Sequence, residues 1–411
     1  MVVLLVLAVV AVLAAFAGLH YYAYRRLVRA TTAGPGWPRR LGAAVFVAGP
    51  VLMFAAIAAE RAGAPFPLQR ALAWPGFLWM AFALYLLLAL LVGEAVRPVL
   101  RRVLDRGTRR PGPAADEAAP EPAPEPAPAP EPAPVAAPTR RLVLARTVGA
   151  ASAVAAAGIV GNGAYGVLRG PKVKRVTVPL AKLPRSAHGF RIAVVSDVHL
   201  GPVLGRGFAE RVVDIVNGTQ PDLIAVVGDL VDGSVEDLAP AVAPLARLRS
   251  RHGTYFVTGN HEYFSGADPW VAHVREIGMR PLANARVEMG AFDLAGVNDI
   301  SGANHGEGPD YGKALGDRDT SRAAVLLAHQ PVMIHEAVKH GVDLQLSGHT
   351  HGGQLWPGNF VADAANPTLA GLESYGDTQL YVSRGAGAWG PPVRVGAPSD
   401  ITVVELASRQ A

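Results

Sequence analysis

The chain is 411 residues long, half of it hydrophobic and only 17% charged, with a net charge of +5. That balance argues against a wholly soluble protein and leaves room for one domain of about 220 residues beside a membrane part. The absence of cysteine excludes disulfides and thiolate metal ligands. The surplus positive charge is mostly arginine beside apolar stretches, without interleaved aromatic residues, so no nucleic-acid partner is expected.

Three apolar segments near the N-terminus are long enough to cross a bilayer. They are 2–19, 41–59 and 74–96. The first could be a signal peptide, but it lacks a positive start and a clear cleavage site, and Tyr21, Tyr22 and Tyr24 follow it as interfacial residues. We therefore predict a retained helix there. The lengths of the other two segments argue against buried core helices.

Arginines are distributed unevenly around these segments. The link between the second and third segments carries only Arg61 and Arg70, beside Glu60. The other flanks are much richer in arginine, so the positive-inside rule puts the N-terminus outside and the end of the third segment in the cytoplasm. These arginines are Arg25, Arg26, Arg29, Arg39 and Arg40 before the second segment, and Arg97, Arg101, Arg102, Arg106, Arg109 and Arg110 after the third.

The stretch 97–146 reads as a basic, Pro/Ala/Glu-rich cytoplasmic linker, and its part 111–138 should be a semi-rigid spacer because it cannot bury a core. The Ala/Gly-rich segment 147–167 follows Arg140 and Arg141. Two interpretations stay open, a fourth transmembrane helix or a twin-arginine-like signal segment. Either puts the rest of the chain outside the cytoplasm, whereas a packed surface helix would leave it inside. The arginine pattern favours the extracytoplasmic side.

After a basic linker at 168–187, which is either solvated or close to anionic lipid head groups, a single domain is predicted over 188–408. In this domain, metal-ligand-type side chains follow five apolar runs that read as buried strands. Strand ends meet at one edge of an open α/β sheet, so these side chains should converge. The apolar runs, each with the ligand-type residues that follow it, are 190–196 with Asp197 and His199, 222–228 with Asp229, 253–258 with Asn260 and His261, 323–328 with His329, and 342–347 with His349 and His351.

Mixed imidazole and oxygen donors suit Zn, Mn or Fe better than Ca. Each block alone has a plain structural explanation, because Asp, Asn and His also cap helices and form turns. The run Gly348–Gly353 is the strongest single block, since two histidines among glycines make a poor structural turn. The five blocks together predict a two-metal centre. Two histidines on a helix predicted after Pro331, His335 and His340, are expected to face solvent. His252, His273 and His305 lack such context and are expected at the surface or at the edge of the site.

These blocks resemble the calcineurin-like metallophosphoesterase superfamily over roughly 188–408. The closing stretch 380–406 resembles its membrane-anchored or twin-arginine-exported branch, which includes the transmembrane proteins with a metallophosphoesterase domain. The resemblance implies an α/β fold, a two-sheet metallophosphoesterase sandwich flanked by helices. Here an N-terminal bundle of transmembrane helices would precede it.

The resemblance also implies roles. Asp197, His199 and His351 would hold one divalent ion, Asn260, His329 and His349 a second, and Asp229 would bridge them. The cofactors would be two divalent metal ions, Mn, Zn, Fe or Mg. The catalytic residues would be His261, Asn260 and Asp229, with His261 acting as general acid at the leaving oxygen. Asp232 and Glu262 would orient imidazoles or backbone. The implied step is in-line attack of a metal-bridging hydroxide on phosphorus.

The sequence therefore predicts a membrane-anchored phosphoesterase at the outer membrane face, cleaving phosphodiester, diphosphate or monoester bonds in a phosphorylated small-molecule, lipid or envelope substrate. Alternatives are a UDP-diacylglucosamine-type lipid diphosphate hydrolase, a phosphoprotein phosphatase, and a non-catalytic metal-binding membrane scaffold. Trp356, Phe360, Trp389 and Arg384 could line the pocket, although core packing is expected for most of them. The stretch 265–322 is expected to form loops beside the site.

Overall fold

The computed structural model describes residues 2–106 and 139–409. The chain divides into two compact units. The first unit contains Met1–Ala48 and Phe82–Ala157, and the second contains Gly49–Ala81 and Gly158–Ala411. The spacer predicted at 111–138 lies outside the described residues.

Four helices at the N-terminal end are long and apolar enough to cross a membrane. They are α1 (Val2–Tyr24), which continues as a π-helical turn (Arg25–Arg29), α2 (Trp37–Arg61), α3 (Phe66–Arg106) and α4 (Arg140–Leu168). Each predicted apolar segment lies inside one of them. The glycines at 158, 161 and 163 do not interrupt α4.

In the first unit, polar contacts join the segments that carry the arginines. Arg26 forms an ion pair of 2.8 Å with Glu94 of α3. The Nε of Arg146, in α4, donates a 3.0 Å hydrogen bond to the carbonyl of Thr31. The link after α1, the later part of α3 and the start of α4 therefore meet within this unit.

The second unit is built on two six-stranded mixed sheets. The first sheet has the order β1-β12-β2-β3-β4-β5 and the second β10-β11-β9-β8-β7-β6. In the first sheet only β12 and β2 pair antiparallel; in the second, β9 pairs parallel with both neighbours, as does β8. The strands are β1 (Lys172–Leu180), β2 (Phe190–Val195), β3 (Leu223–Val227), β4 (Thr254–Val257), β5 (Arg280–Pro281), β6 (Ala285–Glu288), β7 (Phe292–Gly296), β8 (Ala323–Leu327), β9 (Leu344–Ser347), β10 (Gly371–Tyr375), β11 (Thr378–Val382) and β12 (Asp400–Ser408).

Alternation along the strands builds a four-layer sandwich. Ile192 and Val194 of β2 face the core between the sheets, where they join Val325 and Leu346 of the second sheet. Their neighbours on β2 point to the outer face, which is covered by α5, α6 and α8. Helices α9 and α10 cover the outer face of the second sheet. The helices are α5 (Arg206–Gly218), α6 (Val235–Val242), α7 (Asn260–Ser265), α8 (Ala267–Glu276), α9 (Tyr311–Leu315), α10 (Ile334–Lys339) and α11 (Gly358–Ala365).

This architecture confirms the predicted fold class, and all five predicted strands are present within two residues of their expected bounds. Two stretches differ from expectation. The stretch 265–322 is not a set of loops, because it contains α8, three strands and α9. The stretch 168–187 contains β1, which pairs with β12 along its whole length at the sheet edge.

Candidate metal centre

Five strands deliver the predicted site residues to one edge of the sandwich. Strands β2, β3 and β4 are parallel neighbours in the first sheet, and β8 and β9 are parallel neighbours in the second. The carboxyl ends of these strands therefore face the same way within each sheet, and the side chains that follow converge. The sequence prediction of convergence is met at each of the five ends.

The backbone at these ends is unusual. Five of the predicted ligands are non-glycine residues with positive φ, a conformation that side chains with a Cβ rarely adopt. They are Asp197 (53°), His199 (49°), Asp229 (51°), His349 (72°) and His351 (53°). Strain of this kind concentrates at functional sites, where the surrounding fold holds the backbone in place.

Two glycines allow the loops to approach each other closely. A Cβ at Gly259 would collide with the side chain of Asp229, and one at Gly348 would collide with the side chains of Ser196 and Asp197. Any larger residue would push the strand ends apart. Steric crowding therefore explains why glycine precedes both Asn260 and His349.

Three side chains form what we call the first ligand cluster: Asp197, His199 and His351, all buried. The Nε2 atoms of the two histidines lie 3.0 Å apart. The Oδ1 of Asp197 lies 3.4 Å from the Nε2 of His351. These distances suit ligands of a single ion, because two atoms that bind one ion at right angles, each about 2.1 Å from it, lie about 3 Å apart.

The second ligand cluster consists of Asp229, His329 and His349, with Asn260 beside them. The Nδ1–H of His329 donates to the carbonyl of Val227 at 2.8 Å, so its Nε2 is the ring nitrogen left to bind a metal ion. That Nε2 lies 3.1 Å from the Oδ2 of Asp229 and makes no hydrogen bond although it is buried. The Nδ1 of His349 and the Oδ1 of Asn260 are 3.0 Å apart.

Asp229 lies between the two clusters. Its Oδ2 is 3.9 Å from the Nε2 of His199 and 3.1 Å from the Nε2 of His329. Its Oδ1 accepts a 2.9 Å hydrogen bond from the backbone N–H of His261. Burial alone would raise the pKa of this carboxyl, but the positive charge of the neighbouring His329 outweighs burial and holds its pKa well below the usual range. The group is therefore an anion, as a shared ligand must be.

Protonation also suits metal binding at two imidazoles. Burial lowers the pKa of His349 to about 4, and burial with the charge of Arg394 holds the pKa of His351 well below its usual range. Both rings are therefore neutral and can donate a lone pair. At His329, burial opposes the charged form, but Asp229 outweighs it and raises the pKa. A cation bound between the two would displace that proton.

Asp232 joins His199 and His261. Its Oδ1 accepts from the Nδ1–H of His199 at 2.8 Å and lies 2.7 Å from the Nδ1 of His261. Burial opposes a charge on His261, yet its hydrogen bond to Asp232 outweighs burial and raises the pKa of His261 to about 9. His261 is therefore in its protonated, positively charged form at neutral pH, and it lies close to both clusters.

Glu262 holds the backbone of two strand ends together. Its fully buried carboxylate accepts hydrogen bonds from the backbone N–H groups of Gly259 (2.6 Å), Asp229 (3.0 Å) and Leu230 (2.7 Å). Burial and the nearby charge of Asp229 raise its pKa to about 7. The side chain therefore positions the loop that carries Asp229.

Sequence reasoning missed the role of Arg394. This buried guanidinium donates to the carbonyl of His351 at 2.9 Å through Nη1, and its Nη2 lies 3.0 Å from the Nδ1 of His351. It also donates to the carbonyl of Gly387 at 2.7 Å. Arg394 comes 43 residues after its partner in a Pro- and Gly-rich stretch, so no local pattern marks it.

The three aromatic residues for which the sequence analysis mainly expected core packing are exposed instead. Trp356 is 48% exposed, Phe360 65% and Trp389 49%. The ring of Trp389 is 5.7 Å from that of His261, and Phe264, 69% exposed, is 5.4 Å from it. We call Phe264 and Trp389, whose rings lie beside that of His261, the rim. Within the described ranges, the five histidines predicted at the surface join neither ligand cluster.

The residues of the two clusters fit a pair of divalent ions. Asp, Asn and His supply hard and borderline donors, the donor atoms are spaced as shared ligands would be, and the buried Nε2 of His329 lacks a hydrogen-bond partner. The sandwich and its strand-end clusters are those of a metallophosphoesterase. The family model for calcineurin-like phosphoesterases matches residues 190–353.

Sequence identity to individual relatives shows which family the chain belongs to. An uncharacterised metallophosphoesterase of Aquifex aeolicus is 35% identical over 240 residues, which cover 57% of this chain and 91% of that relative. The chain belongs to the calcineurin-like metallophosphoesterase family. It is 40% identical to an uncharacterised metallophosphoesterase of Helicobacter pylori over 60% of this chain and 66% of the relative. It is 42% identical to the transmembrane protein with metallophosphoesterase domain of Bos taurus, over 57% of each chain. The chain thus spans less than two thirds of these last two relatives.

Proposed function

We propose that this protein is a membrane-anchored, metal-dependent phosphoesterase that hydrolyses a phosphodiester or diphosphate bond at the membrane surface. One observation carries the proposal. Two ligand clusters share a buried, ionised Asp229, whose Oδ2 lies within 4 Å of a histidine from each. Such a shared carboxylate is the arrangement that two-metal hydrolases require.

We assign Asp197, His199 and His351 to one divalent ion and Asn260, His329 and His349 to a second, with Asp229 as the shared ligand. Bound ions would supply positive charge to the phosphoryl oxygens and lower the pKa of a water. The chain itself contributes the fixed geometry. Asp232 holds the ring of His199, and the carbonyl of Val227 holds that of His329.

We assign proton donation to His261. Its Nδ1 is held by Asp232 at 2.7 Å, which leaves its Nε2 for the leaving oxygen of a substrate. The side chain is only partly buried, and two rim aromatics pack near its ring. A substrate that enters past the rim therefore meets His261 before the buried ligands.

The rim supports a substrate with an apolar part. Phe264 and Trp389 expose about half or more of their surface beside a site whose ligands are almost all buried. Exposed aromatics at a site mouth favour apolar or interfacial ligands over small hydrophilic ones. A lipid or envelope phosphodiester fits this arrangement better than a free nucleotide or a phosphoprotein.

We further propose four membrane crossings with the catalytic domain outside the cytoplasm. The contacts of Arg26 with Glu94 and of Arg146 with Thr31 join the segments that the arginine pattern assigns to the cytoplasm. In the second unit, Val203 packs against Ala56 and Phe77 of the α2–α3 hairpin. The turn of this hairpin then lies on the same side as the catalytic domain, as an N-terminus outside requires.

The test is hydrolysis of bis-p-nitrophenyl phosphate and p-nitrophenyl phosphate by the full chain in detergent, stripped of metal and reloaded with Mn, Zn, Fe or Mg. We expect metal-dependent turnover that is lost in Asp229→Asn and kept in Asp214→Asn, an exposed aspartate on α5. Faster turnover of the diester would support the proposed bond type. A folded protein that binds metal and hydrolyses neither compound, nor a lipid phosphodiester in vesicles, would contradict the proposal and favour a binding-only scaffold.

A further inference from the structure

A cavity lies at the C-terminal end of α4, lined by none of the predicted ligands. Its volume is about 480 Å³. The last turns of α4, the start of β1 and the segment before β12 surround it. Its lining residues are Ile159, Asn162, Tyr165, Gly166, Arg169, Lys172, Arg394, Val395, Gly396, Pro398 and Ser399.

The charge of this cavity is one-sided. Arg169, Lys172 and Arg394 contribute three positive charges, and none of these lining residues, all within the described part of the chain, is acidic. Arg394 is buried and bonded to carbonyls, whereas the side chains of Arg169 and Lys172 are exposed. The carbonyl end of α4 opposes an anion with about half an elementary charge, which the two exposed cations outweigh.

The position of the cavity links it to the membrane surface. The candidate span of α4 ends at Leu168, one residue before Arg169. Tyr165 is 65% exposed, and the guanidinium of Arg169 lies 5.8 Å from its ring centroid. Tyrosine with arginine or lysine at the end of a transmembrane helix is typical of the head-group layer.

We propose that this cavity binds the phosphate group of an anionic ligand at the membrane surface, with Arg169 and Lys172 as its charged contacts and Asn162 and Tyr165 as neutral donors. Two sources share this chemistry, an anionic phospholipid head group and free phosphate. A lipid head group suits the placement beside Ile159 and Tyr165, because the acyl chains can continue along α4. The assignment is independent of the hydrolytic activity proposed above.

The test uses the full chain in non-ionic detergent, titrated calorimetrically with dihexanoyl-phosphatidylglycerol, dihexanoyl-phosphatidylcholine and inorganic phosphate. We expect the double variant Arg169→Gln/Lys172→Gln to bind the anionic lipid about 30-fold more weakly, since each surface cation contributes about a factor of five. The matched control is Arg175→Gln/Arg185→Gln, which removes two charges of the same region outside the cavity. We expect it to bind as the wild type does.

A second pair of variants leaves charge unchanged. Gly166 lines the cavity, and a Cβ at this position would meet no neighbouring atom within 4 Å, so Gly166→Leu should fill the space without disturbing α4. Gly161 is equally open on the same helix but does not line the cavity, which makes Gly161→Leu its control. We expect only Gly166→Leu to weaken anion binding, with turnover of bis-p-nitrophenyl phosphate unchanged in both.

The two anion sources and the absence of a site give different results. Tight binding of phosphatidylglycerol that depends on Arg169 and Lys172, with weak binding of inorganic phosphate, would support the site and identify a lipid source. Equal or tighter binding of inorganic phosphate with the same dependence would support the site and identify free phosphate. The proposal is overturned if neither anion binds, if phosphatidylcholine binds as tightly as phosphatidylglycerol, or if the two double variants weaken binding alike.

Discussion

The ligand clusters and the rim lie next to each other, but they are built in opposite ways. In the clusters, Asp197, His199 and His329 are at most 2% exposed, and hydrogen bonds hold their side chains or neighbouring backbone. On the rim, Phe264 is 69% exposed and Trp389 49%. The difference suggests that the buried part determines the chemistry, whereas the exposed part determines which substrates reach it. Substitutions in the two regions should therefore change different quantities.

The largest effect is expected at the shared ligand. Asp229→Asn keeps the shape but removes the charge that both clusters use, so we expect turnover to fall by about 10³-fold or more and metal content to drop. Turnover of bis-p-nitrophenyl phosphate and metal analysis of the purified protein measure the two effects. Unchanged turnover at full metal occupancy would refute the shared-ligand role.

The next effect is expected at the proton donor. His261→Gln removes an ionisable group that is not assigned to either ion, so we expect kcat to fall by about 10²–10³-fold while metal content stays at its wild-type value. His335→Gln, at an exposed position on α10, is the control and should leave both unchanged. Loss of metal in His261→Gln would indicate a ligand rather than a proton donor.

A smaller effect is expected at the residue that holds two imidazoles. Asp232→Asn weakens its contacts with His199 and His261, so we expect about a 10- to 100-fold loss in metal affinity or turnover. A metal titration followed by turnover at saturating metal separates the two. If Asp232→Asn matched the wild type in both, the contacts at 2.7–2.8 Å would have no functional weight.

The smallest effect is expected on the rim. Phe264→Ser should leave turnover of the soluble diester within about twofold but raise KM for a lipid phosphodiester in vesicles by about tenfold, because less apolar surface meets the membrane. Val338→Ser, a half-exposed apolar residue on α10, is the control. Equal losses on both substrates would show that the rim supports the buried site rather than membrane access.

Much of the fold was predictable because its strands carry simple patterns. The runs before Asp197, Asp229 and His329 are continuous apolar stretches, as expected for parallel strands that are buried on both faces. Strands β6 and β7 were missed. Their sequences, Ala285–Glu288 and Phe292–Gly296, are four and five residues long and carry charged or small residues. They are strands because the edge of the second sheet accepts their hydrogen bonds, which is a tertiary reason.

The candidate metal ligands and the strand ends that carry them could be predicted from the sequence, because residue type, order and strand pattern are local properties. The sequence also predicted three apolar helices long enough to cross a membrane and left the fourth segment open between a transmembrane helix and a twin-arginine-like signal segment. The described residues contain four helices of sufficient length and composition. The tertiary structure, in contrast, places Asp229 between His199 and His329. It also brings Arg394 next to His351 and leaves the rim aromatics exposed. These depend on side chains far apart in the chain meeting across two sheets, and no local pattern encodes such distances.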